Sequence, residues 1–254
     1  EDINYLLGVS DMKNKSLIFI AFVLMIMFSY LNSQEVTATV GLALPPYIIS
    51  ENSTGMELEI VEETLDNIGK SLEVKYVPFI RIRKHMEEGK VELAFPTNEA
   101  SGLKNVYYSD SHITYQNVVV TLKENDFEIK NIDDLKDKSI IAFQDANLYL
   151  GEEYKKMAEN NPSYKEKAQQ NLQISMLFGE RVDAIVVDIN IFKYFRSINE
   201  DVDTSKKVTI HEIFPKTNYK VAFNSEKLRN DFNKSLKEIR KSGKYEKITK
   251  KYVN

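Results

Sequence analysis

Cysteine and tryptophan are absent from this chain of 254 residues, and histidine occurs only three times. Without cysteine there is no disulfide, no thiolate nucleophile, no cysteine-ligated zinc and no lipid-modified cysteine. His85, His112 and His211 are scattered, with no metal-ligand spacing between any two, so neither a metal nor another cofactor is expected. There is no glycine-rich phosphate loop. Positive charge is also in deficit: 34 Lys and Arg against 38 Asp and Glu leave a formal charge of -4, which gives no support for a nucleic-acid partner. The basic stretch Lys234 to Lys251 reads as the solvated face of an amphipathic helix and its tail. What the chain does have is 43 % hydrophobic residues, enough for a packed core in one large or two small domains.

The first 34 residues read as a leader rather than as part of the fold. Met12-Lys13-Asn14-Lys15 is basic, Leu17 to Leu31 is almost wholly apolar, and Asn32, Ser33 and Gln34 follow. That is the layout of a secretory signal peptide, with cleavage expected after Ser33. The apolar run is shorter than the roughly 20 residues of a membrane span. An uncleaved anchor is the alternative. Glu1 to Asp11 precede Met12 and read as untranslated.

Two segments in the remaining chain repeat one another. Gly179 to Asn190 (GERVDAIVVDIN) reads as a helix stop at Gly179, a buried strand over Ala184 to Val187, and an acid, Asp188, at the strand's carboxyl end. Glu87 to Asn98 (EEGKVELAFPTN) has the same layout around Gly89. Matching Val91 to Val182 places Thr97 on Asp188 and Asn98 on Ile189. Two strands thus end in a polar group at one offset, and ligands of open α/β sheets bind at that edge. We expect two similar α/β lobes with strand ends facing one cleft. The bland alternative is that any α/β protein has several such units.

Further elements fit that plan. Val36 to Leu44 reads as a strand, followed by Pro45-Pro46-Tyr47, which puts an aromatic ring in the loop. Met56, Ile60, Val61, Leu65 and Ile68 keep helical spacing. Leu72 to Val77 alternates as a strand, and Pro78 starts a helix that carries Arg81 and Arg83. Ile113 to Leu122 is β-branched and leaves the first lobe. Asn131 with Asp134 marks one capped helical turn. Ser139 to Phe143 is a strand, Glu166 to Phe178 a helix, and Val208 to Phe214 and Tyr219 to Phe223 are strands that return to the first lobe. Ser225 caps the last long helix.

Taken in order, the segments LALPPYI, GMELEIVEE, GKVELAFPTN, VYYSD, DLKDKSIIAFQDAN, GERVDAIVVD and the ending LRNDFNKSLKEIRKSGKYEKITKKYV resemble family 3 of the bacterial extracellular solute-binding proteins. The resemblance implies a type II periplasmic-binding fold: two lobes, each a mostly parallel sheet flanked by helices, with two crossing strands as hinge. Residues 35–118 and 215–254 would form lobe 1, and 119–214 lobe 2. It implies hinge closure on a small polar, amino-acid-like or amine-bearing ligand and delivery to an ABC permease in the inner membrane. It also implies a monomer, free in a periplasm, with no covalent chemistry. A few relatives are periplasmic dehydratases, and for that alternative Glu99 and Asp188 are the carboxylates to nominate. A ligand sensor for a membrane partner is a third possibility.

One departure concerns the carboxylate clamp. In amino-acid binders of the family, a Thr-x-Thr-x-x-Arg run holds the ligand carboxylate; here it reads Thr97, Asn98, Glu99, Ala100, Ser101, Gly102, so glycine stands where the arginine would be. The Pro78 to Arg81 segment resembles a divergent branch, and Arg81 is the candidate replacement cation. Asp188 matches the family position for a ligand ammonium, the role we expect, while an acid after a buried strand can also N-cap the following helix. Tyr47 is placed to stack on the ligand or to plug the lobe edge. Thr97 is a candidate hydroxyl donor. Phe143 to Asn147 matches a loop whose backbone N–H groups meet an anion.

Overall fold

A computed structural model describes residues 34–253, together with the backbone but not the side chains of Phe79 and Ile80. The expected leader therefore lies outside the described residues. Strands β1 to β11 are Gln34–Val40, Lys70–Tyr76, Leu93–Thr97, Tyr107–Tyr108, Ile113–Tyr115, Asn117–Leu122, Ile140–Phe143, Tyr164–Lys167, Ala184–Asp188, Val208–His211 and Thr217–Phe223. Helices α1 to α8 are Met56–Asp66, Phe79–Glu87, Ala146–Tyr149, Glu152–Asn160, Gln170–Phe178, Ile189–Ser197, Glu226–Lys241 and Lys244–Tyr252.

The strands form two mixed sheets of one design. In the first, β2, β1 and β3 are parallel and β11 runs antiparallel beside β3, with β4 and β5 paired to β11. In the second, β8, β7 and β9 are parallel, β6 runs antiparallel beside β9, and β10 pairs with β6. Each sheet thus has a three-stranded parallel centre with antiparallel strands added. The repeat seen in the sequence survives to the residue: β3 and β9 occupy equivalent places, and end on Thr97 and Asp188. Every residue of both strands is buried, as continuous apolar runs between helical layers should be.

The chain crosses from the first sheet to the second at Gln116, between β5 and β6, and returns between β10 and β11. Val208–His211 pairs with β6, so this strand belongs to the second sheet, and only β11 completes the return. One apolar core runs through both halves, from Val40, Leu58 and Phe95 to Ile174, Val187 and Phe192. The second half has a further core of its own around Leu135, Ile140, Tyr154 and Val186.

Two local expectations are corrected, and the expected helix stop at Gly179 is present. The first strand stops at Val40 rather than Leu44, because Leu44 turns back to bridge Ile48. Tyr164–Lys167 is a strand at the edge of the second sheet, so the helix expected from Glu166 begins only at Gln170. Gly179 is the C-cap of α5 at φ -82, and Glu180 takes the left-handed conformation at φ 56. The glycine is required by space, since a Cβ there would stand 2.8 Å from the Ser175 carbonyl oxygen.

Candidate functional site

The site begins with how α1 starts. Its N-cap, Gly55, has no side chain to satisfy the first helical N–H groups, so backbone carbonyls of the preceding turn take that role. Pro46 O accepts from Met56 N at 2.7 Å and Tyr47 O from Glu57 N at 3.0 Å. This close approach needs glycine: a Cβ on Gly55, at φ +135, would fall 2.3 Å from Tyr47 O. Tyr47 is thereby fixed on the first half of the molecule with its ring fully buried.

Its hydroxyl reaches the other half. Tyr47 Oη donates to Asp188 Oδ1 at 2.7 Å and accepts from Asn190 Nδ2 at 3.1 Å. Asp188 also N-caps α6, accepting from Asn190 N at 2.8 Å and Ile191 N at 3.2 Å, so the capping role is realised. Its Oδ2 accepts from Gln116 N, in the crossing segment, at 2.8 Å. Among the described residues, Oδ1 accepts from three donors and Oδ2 from one. Burial raises the Asp188 pKa, although Tyr47 and the three backbone donors pull it the other way. Burial, and then the Asp188 charge, push the Tyr47 phenol well above its ordinary value.

Aromatic and ionic groups back this contact. Tyr115 stacks on Tyr47 with centroids 3.8 Å apart, and Tyr219 leans on Tyr115 at 4.6 Å. Tyr115 Oη donates to Glu57 Oε2 at 2.6 Å, and His112 Nε2 lies 2.7 Å from Glu57 Oε1, with Glu57 and His112 both fully buried. Glu57 stands in the first turn of α1, where the helix dipole favours a carboxylate. Sequence reasoning missed Glu57, His112, Tyr115 and Asn190 as members of this cluster. The only signal was Glu57 within GMELEIVEE, because the other partners are joined by tertiary packing.

The remaining candidates are less directly engaged. Thr97, at the end of β3, spends its hydroxyl on the Lys220 carbonyl of β11 at 3.0 Å. Arg81 is exposed on the first turn of α2. The guanidinium next to Gly102 is that of Arg83: its Nη2 donates to Ser101 O at 2.7 Å and lies 3.1 Å from where a Gly102 Cβ would be. Phe143 ends β7, half-buried against the core of the second half. The N–H groups of Asp145 and Asn147 are bonded at 2.8 and 3.0 Å to Glu166, so an internal carboxylate already holds that loop. Glu166 also accepts from Tyr164 Oη. Glu99 is ion-paired to Lys220. Among the described residues there is no group of three or more His, Asp or Glu that would hold a metal ion, and no helix long and apolar enough to cross a membrane.

Two matching α/β halves, two crossing segments, and a buried acid where the strand ends meet define a two-lobed solute-binding architecture. The chain belongs to family 3 of the bacterial extracellular solute-binding proteins, whose family model matches residues 36–254, and it is accordingly a secreted solute-binding protein. It is 28 % identical over 217 residues to the arginine-binding extracellular protein ArtP of Bacillus subtilis, covering 81 % of this chain and 80 % of the relative. The probable amino-acid-binding protein YxeM of the same organism is 24 % identical over 220 residues, covering 82 % and 80 %. Among solved structures, an ancestral cationic amino-acid solute-binding protein superposes with a TM-score of 0.68 at 17 % identity, covering 90 % of this chain and 98 % of that one.

Proposed function

We propose that this protein captures a small amine-bearing, amino-acid-like solute between its lobes and delivers it to an ABC permease in the inner membrane. It works as a monomer in the periplasm after removal of its leader, without catalysis. The supporting context is the family, together with relatives named for amino-acid and arginine binding. The observation that carries the reading is Asp188: a buried carboxylate at the carboxyl edge of β9, bonded to Tyr47 of the other lobe, whose Oδ2 accepts from one donor among the described residues. An ammonium group is the natural partner for such a position.

In this reading Asp188 takes the ammonium and Tyr47 walls it from the first lobe. Thr97 and Arg81 stand on the first lobe's edge, and Phe143 and Asn147 on the second's. The lobes hinge at Gln116 and in the segment between His211 and Thr217, and closure brings Tyr47 and Asp188 together. A thermal-shift screen against amino acids, polyamines, small organic acids and oligopeptides tests the proposal. A solute at a hundred times its dissociation constant adds about 2.7 kcal/mol, a shift of a few degrees. Stabilisation by amine-bearing solutes is the expected result; a response confined to organic acids without an amine would contradict it.

A further inference from the structure

A second feature opens at the edge of the first lobe. A groove of about 270 Å³ is lined by Gly41 to Leu44, Ile48, Pro78 and Pro96. These residues sit at the carboxyl ends of all three parallel strands: Gly41 follows β1, Pro78 lies just beyond β2, and Pro96 is the penultimate residue of β3. That is the edge at which open α/β sheets receive ligands. None of the lining side chains carries a charge or a hydrogen-bonding group. Leu42 leaves 54 % of its surface exposed there. One turn of backbone links the groove to the residue that contacts Asp188. Leu44 O accepts from both Tyr47 N at 2.8 Å and Ile48 N at 3.1 Å; Ile48 lines the groove, and the Tyr47 hydroxyl is bonded to Asp188.

We propose that this groove receives the side chain of the captured solute, and that the side chain is apolar, of the size of leucine or methionine. The inference rests on the solute-binding function proposed above and adds the substrate class. A guanidinium or carboxylate entering the groove would lose water without gaining a side-chain partner of opposite charge, which costs more than an apolar group gains. Glu99, three residues beyond Pro96, is paired with Lys220 and so is not waiting for a cation. The proposed solute thus differs from those for which the arginine- and cationic amino-acid-binding proteins are named.

Isothermal titration with leucine, methionine, alanine, arginine and glutamate tests the assignment. Leucine or methionine should bind about tenfold or more tighter than alanine, and tighter again than arginine or glutamate. Leu42→Asp, at an exposed position, should weaken leucine about tenfold while leaving the melting temperature of the unliganded protein within a degree or two. Tighter binding of arginine or glutamate than of leucine would overturn the apolar class and leave the solute-binding reading intact. Leucine affinity unchanged in Leu42→Asp would overturn the groove as its site. Binding of no amino acid at millimolar concentration would overturn the inference and the amino-acid reading together.

Discussion

Thr97 and Asp188 hold the same position in two copies of one strand, yet they meet different fates. Both follow four buried residues, and both lie at the carboxyl edge of a parallel strand. After Asp188 a helix begins at once, so its carboxylate caps α6 and still reaches Tyr47 and Gln116. After Thr97 the chain makes only a short 3-10 turn, Glu99–Ser101, and the cap moves one residue on to Asn98, whose side chain accepts from Ala100 N. Thr97 is then left to bond the neighbouring strand. The duplicated backbone prescribes where a polar group stands; the element that follows decides what the group does.

The largest effect should come from the buried cluster behind the site on the first lobe. Removing Glu57 leaves two buried groups, the His112 ring and the Tyr115 hydroxyl, without their partner, so Glu57→Ala should lower stability by about 3 kcal/mol in urea unfolding. A loss below about 1 kcal/mol would mean that the Glu57, His112 and Tyr115 contacts are not structural. Tyr47→Phe keeps the stacking on Tyr115 and deletes the bond between the lobes. It should cost about 2 kcal/mol, since hydrogen bonds to charged groups run above the ordinary range.

Part of the outcome was readable in advance. The five-residue register of β3 and β9 follows from the spacing of Val91 and Val182, because period and glycine placement are local properties. The capped turn at Asn131 and Asp134 is likewise local, and both of its reciprocal bonds are present. The strand Tyr164–Lys167 is not legible in the sequence, and the helix expected from Glu166 overlaps it, because YKEK, half exposed on an edge strand, lacks the apolar run that marks a buried one. The site is less legible than the fold. Tyr47, Gln116 and Asp188 are far apart in sequence, and only the packing of two lobes joins them. Arg83 rather than Arg81 flanks Gly102 because helical rotation, not proximity to Pro78, directs each side chain.

A smaller effect concerns pH. Glu62 on α1 has its pKa raised to about 7, chiefly by burial and then by Asp66 and Glu59, with Lys251 opposing. Its folded value lies above its unfolded one, so the folded state holds a proton that the unfolded state has released. Its contribution is therefore full below about pH 4.5 and lost as pH rises towards 7. Glu62→Gln should flatten that part of the stability profile, by an amount tempered by the group's partial exposure. The smallest effect is expected at Thr97. Thr97→Val deletes one bond to a strand carbonyl, costs about 0.5–1 kcal/mol, and changes solute affinity less than about threefold. A larger loss of affinity would place the Thr97 hydroxyl on the ligand and make the two strand ends functional equals.

The central claim is that Asp188 meets the solute's amine where the lobes join, and calorimetric titration of Asp188→Asn tests it most directly. Asparagine keeps the helix cap and removes the charge. With the amine-bearing solute that stabilises the wild type most, affinity should fall more than tenfold, a loss above about 1.4 kcal/mol, while the variant remains folded. Affinity within about twofold of wild type, in a folded variant, would contradict the claim and move the amine to another part of the cleft.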